Sequence, residues 1–307
     1  PDPSVYVRFP AKAQQSYSYG ASATELARLG YQNDTWSTEP PTFIAWTTTP
    51  WTLTANVALA IGPDEEYVLA ESTSSGERVI VASALKDHIL DDGWKDIALF
   101  RGTAMVGIQY DAPYVSPALT NHVHRVLPAD YVTTGDGTGI VHTAVAYGAE
   151  DAALGKVHGF DTVHSVDSRG AMMDGFPGAG KFVKQADKDI IADLITRGLL
   201  FLDASPYLHT YPFCWRCGTP LLYYAKASWY IRTTARKEEL VNGNRTINWF
   251  PDHIKEGRFG EWLRNNVDWA VSRERYWGTP LPIWRCVGDS EHLRVVGSIA
   301  ELREWVT

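Results

Sequence analysis

Three groups of residues have the types and spacing to do chemistry. The first, Trp46-Thr47-Thr48-Thr49-Pro50-Trp51-Thr52, ends an apolar run and places Thr47, Thr48, Thr49 and Thr52 close together. Pro50 removes a ladder donor and pushes Thr49 toward extended geometry, so a strand must stop there. The hydroxyls and amides around the break are then free to face a ligand. The same composition also suits an ordinary edge strand, because threonine packs well in strands. The second group is Asp136-Gly137-Thr138-Gly139-Ile140-Val141-His142, a glycine-rich turn feeding a strand, followed by Tyr147-Gly148-Ala149-Glu150-Asp151. Strand, turn and helix in that order bring His142 and Asp151 to the two ends of one short connection. Each also has an ordinary role, His142 as a hydrogen-bonded strand-end residue and Asp151 as an acid in the positive first turn of a helix.

The third group is Cys214-Trp215-Arg216-Cys217, with Cys286 far downstream. A zinc knuckle needs four ligands, and only three cysteines exist, so Asp289 or His292 would have to supply the fourth; free thiols are the other reading. Two further patterns carry no chemistry. Gly175 to Phe182 nearly matches a phosphate-binding loop, but Phe182 stands where a hydroxyl is required, and the preceding stretch is not a buried strand. His122 and His124 share a strand face without a third ligand, the usual pattern of surface residues.

The elements that must position these groups are legible in part. Val5 to Phe9 alternates as a half-buried strand, whereas Ala11 to Glu39 gives no clear signal. Strands are expected at Pro41–Trp46, Val57–Ile61, Tyr67–Ala70, Arg78–Ala82, His122–Leu127 and Gly139–Ala144, punctuated by Gly, Pro, Asp and Ser turns. Strands this short and this dense suggest a bent sheet or barrel. After Asp187 the residues Ile190, Ile191, Leu194 and Ile195 share a helical face that Gly198 closes; Glu150 to His158 reads as a shorter helix. Ser298 and Glu301 have capping-box spacing. Composition shifts near Tyr207, where Tyr207–Tyr211, Leu221–Ala225 and Ser228–Arg232 look like strands of a ribbon around the Cys pair. The fold class expected is therefore mixed β/α, predominantly β, with peripheral helices and a β-ribbon appendage.

Composition sets bounds on function. The chain has 307 residues, 45% hydrophobic and 21% charged, which excludes a disordered or collagen-like protein. A net charge of −8 argues against affinity built on neutralising many phosphates, so any nucleic-acid contact must be local. No apolar run approaches the ~18 residues of a membrane span, Pro1-Asp2-Pro3-Ser4 lacks a signal-peptide layout, and three cysteines suit a reducing compartment. A cytoplasmic location is expected.

Taken together, these segments resemble the class I isoleucyl-tRNA synthetases, at the editing insertion (connective peptide 1). The resemblance covers nearly the whole chain: Val5–Phe9, Trp46–Thr52, Gly137–His142, Cys214–Ala225, Asp252-His253-Ile254-Lys255-Glu256-Gly257-Arg258, and Asp268-Trp269-Ala270-Val271-Ser272-Arg273-Glu274-Arg275-Tyr276-Trp277-Gly278-Thr279-Pro280. The sister valyl and leucyl enzymes typically carry Thr-Thr-Arg-Pro and then an acid, where this chain has Thr49 before Pro50 and Trp51 after it. Segments like His-Ile-Gly-His and Lys-Met-Ser-Lys-Ser are absent, so amino-acid activation is not expected of this fragment. Cys286-Val287-Gly288-Asp289 breaks the second CxxC that the family often carries.

The resemblance implies hydrolysis of valine wrongly esterified to tRNA for isoleucine. Residues 1–206 would form the editing domain, with an incoming strand at 1–10 and the main globule at 11–206. Residues 207–250 would form the ribbon with the Cys knuckle, and 251–307 the return toward the synthetic domain. Asp151 would anchor the substrate's α-amino group. Thr47, Thr48 and Thr49, with Thr52 and Trp46, would position the ester, the water and the terminal adenosine, and His142 would exclude the longer isoleucine side chain. Editing would need no cofactor, and Cys214, Cys217 and Cys286 would at most hold a structural zinc. The partners implied are the aminoacylated 3′ end of the tRNA, its valine moiety and the remaining synthetase domains, with no membrane. The alternative is a non-catalytic module that docks the tRNA end.

Overall fold

Val5, Val7 and Phe9 alternate with Tyr6 and Arg8, and the alternation becomes a strand with one face sealed. β1 (Asp2–Pro10) buries all three apolar residues completely while Tyr6 and Arg8 stay half-buried. The computed structural model describes residues 2–13, 31–32, 35–36, 39–119, 122–208, 210–272, 281–289 and 291–306. Most of the 11–39 stretch lies outside these, apart from a small pairing of β2 (Tyr31–Gln32) with β3 (Thr35–Trp36). Residues 273–280 of the segment from Asp268 to Pro280 lie outside them too. The chain divides into two units, Pro1–Ala225 and Lys226–Thr307.

The first unit is built on two sheets. Its further strands are β4 (Thr42–Thr47), β5 (Ala58–Ile61), β6 (Glu66–Ser72), β7 (Arg78–Ala82), β8 (Trp94–Arg101), β9 (Arg125–Pro128), β10 (Ile140–Thr143) and β11 (Leu200–Tyr207). The larger sheet runs β11-β1-β4-β7-β6-β8, antiparallel except where β4 lies parallel to β7; the smaller runs β10-β5-β9. Neither closes on itself among the described residues, so the bent arrangement is that of open sheets. Phe9, Phe43, Ile80, Leu69 and Tyr67 form the core between them and are fully buried.

Strand β8 was not anticipated. It is an edge strand whose Ile97 and Leu99 face solvent beside Lys95 and Asp96, so the period-two pattern is erased. The expectation for the histidine pair is corrected as well. His124 is buried, and the ring nitrogens of both histidines meet backbone carbonyls, His122 at Val57 and His124 at Asn56. A local donor–acceptor match in the interior, rather than water, satisfies them.

The helices of this unit are α1 (Lys86–Ile89), α2 (Ala149–His158) and α3 (Val183–Thr196). α3 begins four residues before Asp187, which places that acid inside the helix. Ile190 and Leu194 are fully buried as their spacing demands, but Ile195 is 58% exposed and lies off the buried face. The helix ends in a left-handed Gly198, and the Leu199 amide returns to the Leu194 carbonyl. Around the Cys pair, Phe213 and Pro220 form an isolated bridge and the Gly218 amide bonds the Cys214 carbonyl, making a tight hairpin turn. Leu221–Ala225 forms no strand: the Ala225 amide bonds Ala146, and Leu222 and Tyr224 pack on the core of this unit.

In the second unit β12 (Tyr230–Ile231) pairs with β13 (Trp269–Ala270), and β14 (Ile283–Arg285) with β15 (Leu293–Val295). It also holds α4 (Lys237–Arg245), α5 (Arg258–Arg264) and α6 (Ile299–Val306). The Ser298 hydroxyl accepts the Glu301 amide, as the capping-box spacing requires. No helix among the described residues is long and apolar enough to cross a membrane.

One buried phenol joins the sheets. Tyr67 of β6 accepts the Gly62 amide at 3.0 Å and donates to the Gly139 carbonyl at 2.7 Å. Tyr67→Phe leaves both groups unpaired, so urea unfolding should show a loss of about 1–3 kcal/mol. A loss below about 0.5 kcal/mol, typical of a surface change, would show that the bridge is dispensable.

Candidate functional site

β4 ends where the sequence predicts. Pro50 opens a 3₁₀ turn, Pro50–Ala55, all of it buried, with Thr49 as the preceding residue. The hydroxyls of Thr47, Thr49 and Thr52 at this break each have a partner. Thr47 Oγ1 accepts the Thr49 amide at 3.1 Å and lies 3.2 Å from Thr49 Oγ1. Thr49 Oγ1 in turn lies 3.2 Å from Thr52 Oγ1. Thr52 donates to the Thr49 carbonyl at 2.8 Å and stands 2.8 Å from His142 Nε2.

The Thr52 hydroxyl has one proton to place between the Thr49 carbonyl and His142 Nε2, both at 2.8 Å, so the His142 tautomer follows from which of them takes it. Burial pushes the His142 imidazole down to about 4, and its Nδ1 is a buried atom with no hydrogen-bond partner among the described residues. The ring is therefore neutral near pH 7 and unsuited to act as a proton carrier through Nε2. Thr47, at the far end of this chain of contacts, receives the Thr49 amide and lies in the lining of the cleft described below.

Opposite this break stands the acid. α2 starts after Gly148, and Asp151 in its first turn bends back so that Oδ2 accepts the Ala144 amide at 2.9 Å. Burial raises the Asp151 carboxyl to about 6, the Ala144 amide opposing the shift and the Glu150 charge adding to it. Between the two elements runs the glycine-rich loop. Gly139 has φ +71°, and a Cβ there would come within 2.4 Å of the Ala82 Cβ, so only glycine permits this approach.

The result is one cleft of about 360 Å³, lined by Trp46 and Thr47 from β4, Thr48 just after it, Asp136 to Val141 from the loop and β10, Glu150 and Asp151 from α2, and Tyr131 and Thr133. Among the described residues Asp136, Glu150 and Asp151 are its charged groups, and none of the lining residues is Lys or Arg. It therefore favours a small cation and disfavours phosphate.

The structure thus brings Trp46, Thr47, Thr48 and Asp151 to one cleft and sets Thr49, Thr52 and His142 behind its wall, joined to it by hydrogen bonds. Trp46 is half-buried and meets Tyr207 edge-on at 5.0 Å. The cysteines lie elsewhere: Cys214 and Cys217 on the hairpin turn of the first unit, Cys286 in the second. Among the described residues no three or more His, Cys, Asp or Glu gather in an arrangement that could hold a metal ion. Two thiols of one turn supply half of a tetrahedral set, so a zinc there would need two ligands from outside that turn, and no step below involves one. Sequence reasoning missed Tyr131 and Thr133, which carry no distinguishing pattern, and named Asp136 only as part of the glycine-rich turn. It also missed Asp187, whose signal was present: an acid on the apolar face of α3, where an unpaired charge is costly.

Comparison with known proteins follows from this geometry. Residues 17–306 match the family described as tRNA synthetases class I (I, L, M and V). The isoleucine–tRNA ligase of Streptomyces coelicolor is 47% identical over 305 residues, covering 99% of this chain and 27% of that protein. That of Thermus thermophilus is 45% identical over 306 residues, covering 100% and 27%. The chain spans about a quarter of the length of these relatives. The solved structure of GlLeuRS-CP1 has a likeness of fold, with a TM-score of 0.51 at 15% identity over 66% of this chain and 100% of that one.

The buried acids give a stability prediction. Asp187 is raised to about 7 by burial, with the Trp51 amide and Lys184 opposing and Asp2 adding. Its folded value lies above the unfolded one, so the folded state binds the extra proton between about 4 and 7. The burial cost of the charge is then present above pH 7 and relieved as pH falls. His124 and His142, both lowered to about 4, act with the opposite sign, so the parent's slope alone is not diagnostic. The difference between Asp187→Asn and the parent is: in thermal melts the variant's relative advantage should be larger at pH 8 than at pH 4. A difference independent of pH would contradict the assignment.

Proposed function

Because the chain belongs to the class I tRNA synthetases, we propose that it is the part of an isoleucine–tRNA ligase that hydrolyses valine wrongly esterified to tRNA for isoleucine. The observation that carries this reading is the cleft joining the threonine break to Asp151 with no Lys or Arg among the described residues of its lining. The likeness of fold to GlLeuRS-CP1 and the motifs from Trp46 to Thr52 and Gly137 to His142 support it. The tRNA end, its valine and the remaining parts of a synthetase are the partners in this proposal, and the cytoplasm is its setting.

The chemistry asks three things of the residues. The substrate's α-ammonium needs a carboxylate, and Asp151 provides one, held in place by the Ala144 amide. A charge-assisted contact of this kind is worth about 1.5–3 kcal/mol. The ester carbonyl and the attacking water need short donors and acceptors, which the Thr47 and Thr48 hydroxyls supply at the cleft wall. Water adds to the carbonyl carbon, the bond to the ribose oxygen breaks, and that oxygen takes up a proton as valine leaves. The ester is activated enough that no covalent enzyme intermediate is needed.

The third task is discrimination. One methylene is worth only about 1–3 kcal/mol in a binding pocket, so a second site that admits the smaller product is the physical remedy. We assign the limit of that pocket to His142, which stands behind Thr52 as a neutral, buried ring.

Two measurements check the assignments. Asp151→Ala should lower kcat/KM for hydrolysis of Val-tRNA by about 10- to 150-fold, the equivalent of the lost contact; unchanged turnover removes its role. His142→Ala should begin to hydrolyse Ile-tRNA. If the cognate ester stays intact while the valyl ester is still cleaved, the size limit lies elsewhere. Binding of the tRNA end with no hydrolysis by the parent chain would turn the reading into a docking module.

A further inference from the structure

Asp187 takes no part in the chemistry above, yet it is 1% exposed and is donated to by the backbone of the threonine break. It sits on the buried face of α3, one turn before Ile190 and two before Leu194, where an apolar residue is the rule. Its Oδ1 accepts the Trp51 amide at 3.1 Å, across 136 positions of sequence.

An account of the donors from Thr49 to Thr52 shows why this bond matters. The Thr49 amide goes to Thr47 Oγ1, Pro50 has no amide proton, and the Thr52 amide goes to the Thr49 carbonyl at 2.9 Å. The first amides of any helical turn find no partner within it. The Trp51 amide is the one left over in this stretch, and it is buried. Asp187 is the group from outside the turn that takes it. The rest of Trp51 is fixed too: its carbonyl accepts the Thr54 hydroxyl at 2.7 Å and its ring meets Tyr147 edge-on at 4.7 Å. The hydroxyls of Thr47, Thr49 and Thr52 all hang from this short piece of backbone.

We propose that Asp187 is a positioning residue for the hydrolytic site: by holding the Trp51 amide from α3, it sets where the Thr47 and Thr48 hydroxyls meet the ester. The proposal rests on the ester-hydrolase reading of the cleft. Asp187 does not touch that cleft, so its effect passes through the backbone. What the site asks of it is an acceptor at the Oδ1 position, which an asparagine retains and an alanine or leucine does not. Asp187 also borders a separate hollow, shared with Lys184, Asp2 and Tyr211, in which Lys184 and Asp2 pair at 2.8 Å.

The test uses the 307-residue chain with Asp187→Ala, Asp187→Leu and Asp187→Asn, and with Ile190→Ala as a control for destabilisation from the same helix face. The leucine is close to the shape of aspartate and keeps the core filled should the alanine variant fail to fold. Two quantities are read well below each melting temperature: exchange of the Trp51 amide by NMR, and kcat and KM for hydrolysis of Val-tRNA. Alanine and leucine should each speed Trp51 exchange at least tenfold and lower kcat by about 100-fold, the size of effect that a displacement near 1 Å produces, with KM within about threefold. Asparagine should restore both to near the parent. Ile190→Ala should lower the melting temperature and leave kcat and Trp51 exchange unchanged. A protected Trp51 amide or an unaltered kcat in the alanine and leucine variants overturns the proposal, as does an equal fall of kcat in Ile190→Ala. If the parent itself cleaves no ester, the functional reading fails and the positioning role for hydrolysis goes with it; the exchange data then show separately whether Asp187 holds the turn.

Discussion

The constraint on which the site depends is the need to satisfy buried backbone donors where β4 breaks. Pro50 can neither continue the strand nor donate, and the turn behind it is buried throughout. Each amide from Thr49 to Thr52 must therefore find a partner locally or from across the fold. Two find one within the turn, through a threonine hydroxyl and a carbonyl, and the third finds a carboxylate on a helix far away in sequence. The Thr47 hydroxyl at the cleft is thus also structural, since it takes the Thr49 amide.

A second consequence concerns charge. Among the described residues the cleft holds three carboxylates and no basic side chain in its lining, while the histidine behind it is neutral. Burial acts oppositely on the two kinds of group: it raises Asp151 and lowers His142, in each case disfavouring the ionised form. Asp151 keeps its charge above about pH 6 because the Ala144 amide supports it. A negative, phosphate-averse pocket suits an amino acid carried at the tip of a nucleic acid better than the nucleic acid itself, in keeping with a chain whose net charge is −8.

The close approaches that shape the cleft show how little tolerance it has. A Cβ at Gly139 would overlap Ala82 of β7, and one at Gly137 would stand 3.1 Å from Trp46 of β4. The loop between β9 and β10 is thereby pressed onto the large sheet, while Tyr67 ties its Gly139 carbonyl to β6. Cleft and core are held by the same contacts.

Much of this was legible in the sequence, because local patterns have local causes. The Thr-Thr-Thr-Pro break, the alternation in β1, the strands from β4 to β7 and the face of α3 carrying Ile190 and Leu194 follow from proline's missing donor and from the periods of strand and helix. β8 was hidden because an edge strand with charged, exposed positions shows no alternation, and the strand expected at Leu221–Ala225 did not form because its backbone found a partner on the main globule. His142 could be named as a candidate from its motif, but its neutral state and its place behind Thr52 depend on which groups surround it. Asp187 could be seen as an acid on an apolar face, not as the partner of Trp51. Sequence alone determined which short segments break, turn and bury a face, since those depend on neighbours a few residues apart. Tertiary structure decided which distant group satisfies which buried donor, because a hydrogen bond depends on a distance of about 3 Å that no linear pattern records.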